Sequence, residues 1–221
     1  MRVIIFGATG MIGQSVLREC LLDEKVQEIV TIGRNRTGQQ HQKLNEIELN
    51  DLTNLSSIEN KITGFDACFY CLGVSSTGMN EEEYTRITYD ITLSVASTLS
   101  GLNPQITFVY VSGSGTDSSE NGRTMWARVK GKTENALLRL PTKAAYMFRP
   151  GVIIPLHGVK SKTKWYQLFY DVMKPLNPLL LKLNSVVSSE QLGKAMIEVA
   201  RNGYDDPIIE SNQLKKLSRR T

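Results

Sequence analysis

The chain has 221 residues, 41% of them hydrophobic and 22% charged, which is ordinary for one globular domain with a three-layer core. A formal net charge of +4 is too small to favour nucleic-acid binding, and no apolar run approaches the length of a transmembrane helix. Three cysteines, an odd number, argue against a disulfide framework, and no signal-peptide pattern is present. We therefore expect a cytoplasmic protein with no nucleic-acid partner and no transmembrane segment.

The first predicted elements are a buried strand over residues 3–6 and a helix over residues 11–22. The loop that joins them reads Gly7-Ala8-Thr9-Gly10-Met11-Ile12-Gly13. In such a loop the first glycine allows a tight turn, the second lets the backbone approach a pyrophosphate, and the third lets the helix pack closely. Because N–H groups at a helix start bind phosphate, we assign all seven residues to cofactor binding. The alternative is a turn that binds nothing, since the spacing departs from the usual dinucleotide fingerprint.

Strand and helix signals alternate along the rest of the chain. Further strands are predicted over residues 27–32, 43–49, 66–72, 106–111, 144–148 and 204–210, the last at a sheet edge. Helices are predicted over residues 54–61, with Thr53 or Asn54 as the cap, and over residues 81–99, 124–140 and 189–200. This order predicts a doubly wound, Rossmann-type parallel α/β sheet with helices on both faces. We assign residues 1–152 to a cofactor-binding core and residues 153–221 to a smaller substrate or lid portion of one domain.

The end of the second strand bears on which nicotinamide cofactor binds. NAD-binding Rossmann domains usually place an acidic residue there, where it binds the ribose 2′-hydroxyl. Here the strand ends in Gly33-Arg34-Asn35-Arg36, and a guanidinium can pair with a 2′-phosphate. We therefore expect Arg34 to favour NADP(H) over NAD(H). The alternative is a solvated basic loop.

The motifs, in this order, resemble the atypical short-chain dehydrogenase/reductases, in particular the NAD(P)H-binding group related to the HIV-1 Tat-interacting protein 2 oxidoreductase. Besides the glycine loop and Gly33-Arg34, the resemblance is carried by Asp51-Leu52, Cys71-Leu72-Gly73, Val129-Lys130-Gly131-Lys132-Thr133-Glu134 and Phe148-Arg149-Pro150-Gly151-Val152. It implies that Asp51, with Leu52, lies near the adenine. It also implies that the cofactor is lined by Cys71, Leu72 and Gly73. The nicotinamide side is expected to be closed by Arg149, Pro150, Gly151 and Val152.

The catalytic residues of the resembled enzymes form a Ser-Tyr-x-x-x-Lys set, in which the tyrosine transfers a proton and the lysine lowers its pKa and holds the ribose. Lys130 fits the lysine, and Ser114, rather than Ser112, fits the serine by its offset. Trp126 stands at the tyrosine position, and an indole N–H has no accessible acid–base pKa. Lys130 and Ser114 are therefore the catalytic candidates, and the expected proton donor is missing.

Two functions are compatible with this pattern. The first is an NADP(H)-dependent oxidoreductase acting on a small carbonyl or alcohol that the sequence does not identify. The second is a catalytically silent NADP(H)-binding redox sensor or regulator, which Trp126 favours. Other tyrosines are candidates for the proton donor, although nothing in the sequence places them near the cofactor: Tyr84, Tyr89 and Tyr110.

Cys68 and Cys71 have a C-x-x-C spacing inside an apolar strand, where side chains three residues apart point to opposite faces. Buried, reduced thiols are therefore favoured over a redox pair or a zinc site. His41 and His157 lie far apart in the sequence, with no cluster of ligand residues, so we expect no bound metal.

The region after Val152 is expected to carry substrate or partner selectivity. An apolar stripe predicts a helix packed on the sheet and ended by Pro175 and Pro178; its members are Trp165, Leu168, Phe169, Val172, Met173 and Leu176. A lid, a membrane-facing surface and the face of a homodimer are the alternatives. A basic tail is expected to be solvated or frayed, and it consists of Lys215, Lys216, Arg219 and Arg220.

Overall fold

Seven parallel strands form the main sheet of the computed structural model, which describes residues 1–158 and 177–220. In chain order they are β1 (Arg2–Phe6), β2 (Glu28–Gly33), β3 (Leu44–Glu48), β4 (Ala67–Tyr70), β5 (Thr107–Val111), β6 (Ala144–Arg149) and β9 (Ile208–Glu210). Two short strands, β7 (Val152–Ile154) and β8 (Val186–Ser188), pair in parallel as a second sheet. The spatial order of the main sheet is β3-β2-β1-β4-β5-β6-β9, so the direction of winding reverses between β1 and β4.

Helices connect these strands. The α-helices of the described residues are α1 (Met11–Leu22), α2 (Glu81–Thr85), α3 (Ile91–Leu102), α4 (Met125–Leu137), α5 (Asn177–Leu180), α6 (Ser189–Asn202) and α7 (Ser211–Leu217). A π-helical turn, Arg86–Asp90, joins α2 to α3. A 3-10 helix covers Ser56–Lys61.

Alternate residues of β1 enter two separate apolar layers, as the pleat of a strand buried on both faces requires. Val3 and Ile5 belong to the layer that contains α1, α6 and α7. Ile4 and Phe6 belong to the opposite layer, which contains the 3-10 helix, α3 and α4. Because both faces of the sheet are covered, the carboxyl ends of the strands are the natural place for a site.

The predicted Rossmann-type fold is confirmed. Each strand predicted from the sequence is present, with ends displaced by a few residues, and β9 pairs with β6 at the sheet edge as expected. The three long helices predicted after residue 80 are present as well. The sequence patterns did not predict β7 and β8, because runs of two or three apolar residues are too short to distinguish a strand from a loop.

The predicted cap of the segment over residues 54–61 is wrong. The segment is a 3-10 helix whose N-cap position is Leu55, and no described side chain caps it. Asn54 instead accepts a hydrogen bond from the Ser56 N–H at 3.0 Å, so its side chain closes a local turn before the helix begins.

The prediction of a solvated or frayed basic tail is wrong for Lys215, whereas Lys216, Arg219 and Arg220 are exposed as expected. Two of the four tail residues, Lys215 and Lys216, belong to α7, which buries Leu214 and Leu217 against the sheet. The Lys215 ammonium donates hydrogen bonds to the carbonyl oxygens of Leu181 and Leu183, at 2.7 and 2.5 Å. The charge of Lys215 indicated exposure, but its hydrogen-bond partners lie more than 30 residues earlier in the sequence, where no local pattern reveals them.

The predicted apolar stripe from Trp165 to Leu176 lies outside the described residues. Within residues 1–158 and 177–220, no helix is long and apolar enough to cross a membrane. In the same ranges, the His, Cys, Asp and Glu side chains form no group of three that could hold a metal ion.

Candidate functional site

A cavity of about 470 Å³ opens at the carboxyl ends of the strands, where the winding of the sheet reverses. Open α/β sheets bind ligands at this point because the loops that follow the neighbouring strands leave a crevice between them. The predicted site residues that line the cavity are Gly7, Ala8, Thr9, Gly10, Arg34, Asp51, Leu52, Cys71, Leu72, Gly73 and Lys130. The structure therefore brings most of the separate sequence motifs to one place.

The three glycines of the loop differ in how strictly the surrounding backbone requires them. Gly7 has a φ of +80°, and a Cβ on it would lie 2.8 Å from the Cys71 carbonyl. A Cβ on Gly13 would lie 2.1 Å from the carbonyl oxygen of Gly7. By contrast, the nearest described atom to a Cβ on Gly10 is the Gly7 oxygen, at 3.3 Å. Packing thus requires Gly7 and Gly13, but it hardly requires the glycine at position 10, which lines the cavity.

The start of α1 has neither a side-chain cap among the described residues nor a negative charge in its first turn. Its first N–H to bond back along the chain is that of Gln14, which reaches the Gly10 carbonyl at 2.9 Å. The preceding N–H groups carry the partial positive charge of the helix end. Such a terminus can bind a phosphate without a cationic side chain.

Two arginines follow β2, and their surroundings differ. The Arg36 guanidinium pairs with the Glu48 carboxylate at 2.7 Å. Arg34 is exposed, lines the cavity and makes no ion pair or hydrogen bond within the described part of the chain. Asp51 accepts two hydrogen bonds from Thr53, which hold the pKa of its carboxyl below the usual value. This end of the cavity therefore presents a cation that a ligand can use, together with an ionised carboxylate.

The two cysteines of the C-x-x-C spacing lie in different environments. Cys68 is wholly buried in β4, whereas Cys71, one residue beyond the strand, is partly buried and lines the cavity. Their side chains belong to apolar layers on opposite faces of the sheet. Burial raises the pKa of the Cys71 thiol to about 12 and raises that of Cys68 as well. Thiols in this state are poor nucleophiles and poor metal ligands.

One wall of the cavity was missed by the sequence analysis. It is formed by α2, the π-helical turn and α3, and its members are Tyr84, Ile87, Thr88, Ile91 and Thr92. The spacing of Tyr84, Ile87 and Ile91 indicates one face of a helix. Spacing alone, however, does not distinguish a face packed on the sheet from one that lines a cavity. The π-turn offers no sequence signal of its own, although such turns are frequent at functional sites.

Lys130 reaches the cavity from α4. Its Nζ donates a hydrogen bond to the backbone carbonyl of Ser112, and the Trp126 ring centroid, one helical turn earlier, lies 5.9 Å from Nζ. Burial lowers the pKa of the Lys130 amine, although the Glu134 carboxylate acts in the opposite direction. The lysine is therefore held beside the cavity, with an indole where a phenol would otherwise adjoin it.

Several predicted residues do not line the cavity. They are Met11, Ile12, Gly13, Ser114, Pro150, Gly151 and Val152. Ser114 is exposed on the loop after β5, where its N–H bonds the Pro150 carbonyl at 2.9 Å. The Gly151 N–H is held by Ser211 Oγ at 2.8 Å. The structure thus brings Lys130 to the cavity without Ser114, and the roles assigned to these residues stay predictions.

Three tyrosine side chains line the cavity, and burial raises the pKa of each: Tyr70, Tyr84 and Tyr110. A raised pKa makes a phenol a poorer partner for proton transfer near neutral pH. Tyr89, another of the sequence alternatives, lies outside the cavity lining, with Lys132 Nζ 4.6 Å from its ring centroid. Phenols are therefore present at the cavity, but the described surroundings do not activate them.

Relatives of this chain are found among known proteins. "Protein FMP52-2, mitochondrial" of Scheffersomyces stipitis is 29% identical over 210 residues, which cover 94% of this chain and 88% of that protein. "Protein fmp52-2, mitochondrial" of Aspergillus terreus is 25% identical over 208 residues, covering 91% and 87%. Protein HTATIP2 of Rattus norvegicus is 27% identical over 154 residues, covering 69% and 62%. The mitochondrial names contradict the predicted cytoplasmic location, and that prediction is wrong.

Solved structures share the fold at low sequence identity. WbmG of Bordetella bronchiseptica, solved in complex with NAD, superimposes with a TM-score of 0.67 at 14% identity, covering 95% of this chain and 71% of that chain. Pal from Bacillus thuringiensis superimposes with a TM-score of 0.69 at 13% identity, covering 99% and 83%. These likenesses establish the fold alone.

The family assignment comes from the sequence profile of the NAD dependent epimerase/dehydratase family, which matches residues 3–125, more than half of the chain. The matched part runs from β1 to the start of α4 and includes the glycine loop, Arg34 and Asp51. Together with the HTATIP2 relative and the fold, it confirms the predicted resemblance to short-chain dehydrogenase/reductases and supports a nicotinamide cofactor. The chain belongs to the NAD dependent epimerase/dehydratase family.

Proposed function

We propose that this protein is an NADP(H)-dependent oxidoreductase that acts on a small carbonyl or alcohol. The observation that carries the proposal is the cavity in which an uncapped helix start, the bare backbone of Gly10 and the unpaired Arg34 meet among the described residues. A nicotinamide dinucleotide bound there supplies hydride chemistry and leaves proton transfer to the protein.

The site residues divide between the two ends of such a ligand. The glycine loop and the start of α1 hold the pyrophosphate through backbone N–H groups. Arg34 and Asp51 bind the adenosine end, and Lys130 holds the ribose at the nicotinamide end. The portion from residue 153 onward, with Pro150 and Gly151 before it, completes the substrate side.

The preference for NADP(H) rests on the contrast between the two arginines after β2. A guanidinium pairs bidentately with a phosphate, and this pairing is stronger than a neutral hydrogen bond. Arg36 is already paired with Glu48, whereas Arg34 lines the cavity and is available to a 2′-phosphate. The NAD bound in the WbmG structure is a ligand of WbmG, and the preference proposed for this chain does not rest on it.

A catalytically silent NADP(H)-binding regulator is the second candidate, and Trp126 favours it. The indole cannot exchange a proton as a tyrosine does. Ser114 lies away from the cavity lining, and burial raises the pKa of Tyr84 and Tyr110, so no described group replaces the missing phenol. In this function the occupancy of the cofactor site, rather than turnover, is the signal.

Isothermal titration with NADPH and NADH tests the binding step. We expect submillimolar affinity for NADPH and weaker binding of NADH. Arg34→Ala should weaken NADPH binding about tenfold, since a hydrogen bond to a charged group contributes roughly 1.5–3 kcal/mol and less when exposed. The matched control is Arg36→Ala, which removes an arginine that already has a partner and should change little. Equal affinity of the wild type for the two cofactors would remove the 2′-phosphate argument.

A panel of small aldehydes and ketones, assayed with NADPH by the absorbance of the reduced cofactor, separates the two candidates. Turnover by the wild-type protein supports the oxidoreductase. Tight NADPH binding without turnover on any member of the panel supports the regulator.

A further inference from the structure

A hydrogen-bond network links Lys130 to the residues at the ends of β5 and β6. The lysine amine donates to the carbonyl of Ser112, the residue that follows β5. Ser112 is buried, and its own N–H bonds the Phe148 carbonyl of β6 at 2.9 Å. The position of the Ser112 carbonyl oxygen therefore fixes the position of the Lys130 amine.

The Ser112 side chain is anchored to a buried carboxylate. Its hydroxyl lies within hydrogen-bond distance of Glu134 Oε1 and, at 3.1 Å, of the Phe148 carbonyl, and Glu134 has an exposure of 0%. Glu134 follows Lys130 by one turn of α4, so the two side chains share one face of the helix. Arg149 binds the same carboxylate, with Nε 3.0 Å from Oε1 and Nη2 donating to Oε2. One carboxylate thus joins α4, the end of β5 and the end of β6.

Stability alone is a weak explanation for this arrangement. Desolvation of a buried ion pair offsets most of its attraction, and a well-packed apolar pair often serves as well. What the carboxylate adds is direction, because it orients the Ser112 hydroxyl and thereby the residue whose carbonyl receives the lysine amine. A satisfied buried network of this kind holds its members in one geometry.

We propose that Ser112 and Glu134 are positioning residues for Lys130, and that together they hold its amine at the ribose of a bound NADPH. The inference rests on the proposed function, because it requires a dinucleotide in the cavity. In the competing explanation, the network only ties α4 to β6 and has no effect on the ligand.

NADPH titrations followed by the fluorescence of the reduced cofactor distinguish the two explanations in a double-mutant cycle. Ser112→Ala removes the hydroxyl and leaves the Glu134–Arg149 pair in place. We expect Ser112→Ala and Lys130→Met each to weaken NADPH binding about three- to tenfold, the range for a single hydrogen bond. The double variant should bind no more weakly than Lys130→Met alone, because Ser112→Ala acts only through the position of the Lys130 amine, which Lys130→Met has already removed.

Ser118→Ala is the matched control. The Ser118 hydroxyl accepts a hydrogen bond from Arg149 Nη2 at 2.5 Å, so the variant disturbs the same guanidinium without touching the lysine contact. We expect its NADPH affinity to stay within about twofold of wild type, as for an independent site. If Ser112→Ala folds poorly, Ser112→Cys takes its place in the cycle, because a thiol fills the site and is only a weak hydrogen-bond donor.

Two outcomes would overturn the inference while the proposed function stands. One is that Ser112→Ala and Lys130→Met have additive effects on NADPH affinity. The other is that Ser112→Ala lowers the Tm but leaves NADPH affinity unchanged. A wild-type protein that binds neither NADPH nor NADH would overturn the inference and the proposed function together.

Discussion

The two ends of the cavity differ in how far their polar groups are already committed within the protein. At the glycine-loop end, α1 has no cap among the described residues, Gly10 is hardly needed for packing and Arg34 has no described partner. At the other end, Lys130 is bonded to Ser112, and the Ser112 hydroxyl is bonded to Glu134. The first end is open to a ligand, whereas the second is largely satisfied internally. The proposed cofactor binding and the proposed proton transfer can therefore be tested separately.

The largest expected effect tests whether the glycine loop is shaped by packing or by a ligand. Gly13→Ala places a Cβ 2.1 Å from the Gly7 oxygen. We expect it to lose roughly 3 kcal/mol or more of unfolding free energy, because backbone must move. Gly10→Ala, with its nearest described atom at 3.3 Å, should fold but bind NADPH about tenfold or more weakly, since a methyl group occupies the approach of the pyrophosphate.

Thermal unfolding and calorimetric titration measure the two effects separately. Gly10→Val, with a larger side chain, should abolish NADPH binding in a folded protein. If the folded Gly10 variants bind NADPH as the wild type does, the loop is not the phosphate site and the contrast between the two ends disappears.

Trp126→Tyr tests the Lys130 end. The new phenol would stand one helical turn before Lys130, whose positive charge would lower its pKa. General acid–base catalysis typically contributes about 10²–10⁴-fold, so we expect turnover of small carbonyls to rise about tenfold or more, with NADPH affinity little changed. Trp126→Phe removes the indole without adding a hydroxyl and is the control. High wild-type turnover that Trp126→Tyr destroys would show that this end has its own working site.

The cysteines test whether lining the cavity makes a thiol reactive, because Cys71 lines the cavity and Cys68 does not. Burial raises the pKa of both thiols, so neither should react with a thiol reagent in the native protein while both react after unfolding. Mass spectrometry of the labelled peptides measures each site, with the buried Cys20 as an internal control. Rapid labelling of Cys68 and Cys71 in the native state, or stoichiometric zinc in the purified protein, contradicts this prediction.

A charged cluster that does not line the cavity supplies the smallest effect and a reference for stability. The His157 ring and the Lys194 ammonium hold the pKa of the Glu190 carboxyl to about 2, below its ordinary value of 4.5. These contacts therefore stabilise the fold above the ordinary pKa and are lost as the pH falls toward 2. Glu190→Gln should lower the unfolding free energy near neutral pH by less than about 1 kcal/mol, because the pair is partly exposed.

Unfolding curves measured from neutral to acid pH check this expectation. The wild type should lose its advantage over Glu190→Gln as the pH falls, while NADPH affinity near neutral pH stays the same in both proteins. A constant difference in stability at every pH would show that the charge of Glu190 is not the source of the effect.

The sequence by itself determined the doubly wound α/β fold class and the glycine loop. It also showed that an arginine, Arg34, follows the second strand where NAD-binding domains usually carry an acidic residue. These features are legible because each resides in a contiguous stretch, where periodicity and a turn between strand and helix specify the local structure. The missing tyrosine at Trp126 is legible for the same reason, since its helical offset from Lys130 is a local relation.

Only the tertiary structure decided which of these groups are free. Arg34 and Arg36 look alike in the sequence, but Glu48 pairs with one of them. The cavity wall that contains Tyr84 faces loops from distant parts of the chain, and the hydrogen bond from Ser112 to Glu134 joins residues 22 positions apart. No local pattern predicts either feature. Burial and long-range hydrogen bonds decide whether a polar group is available, and both exist only after the layers have packed.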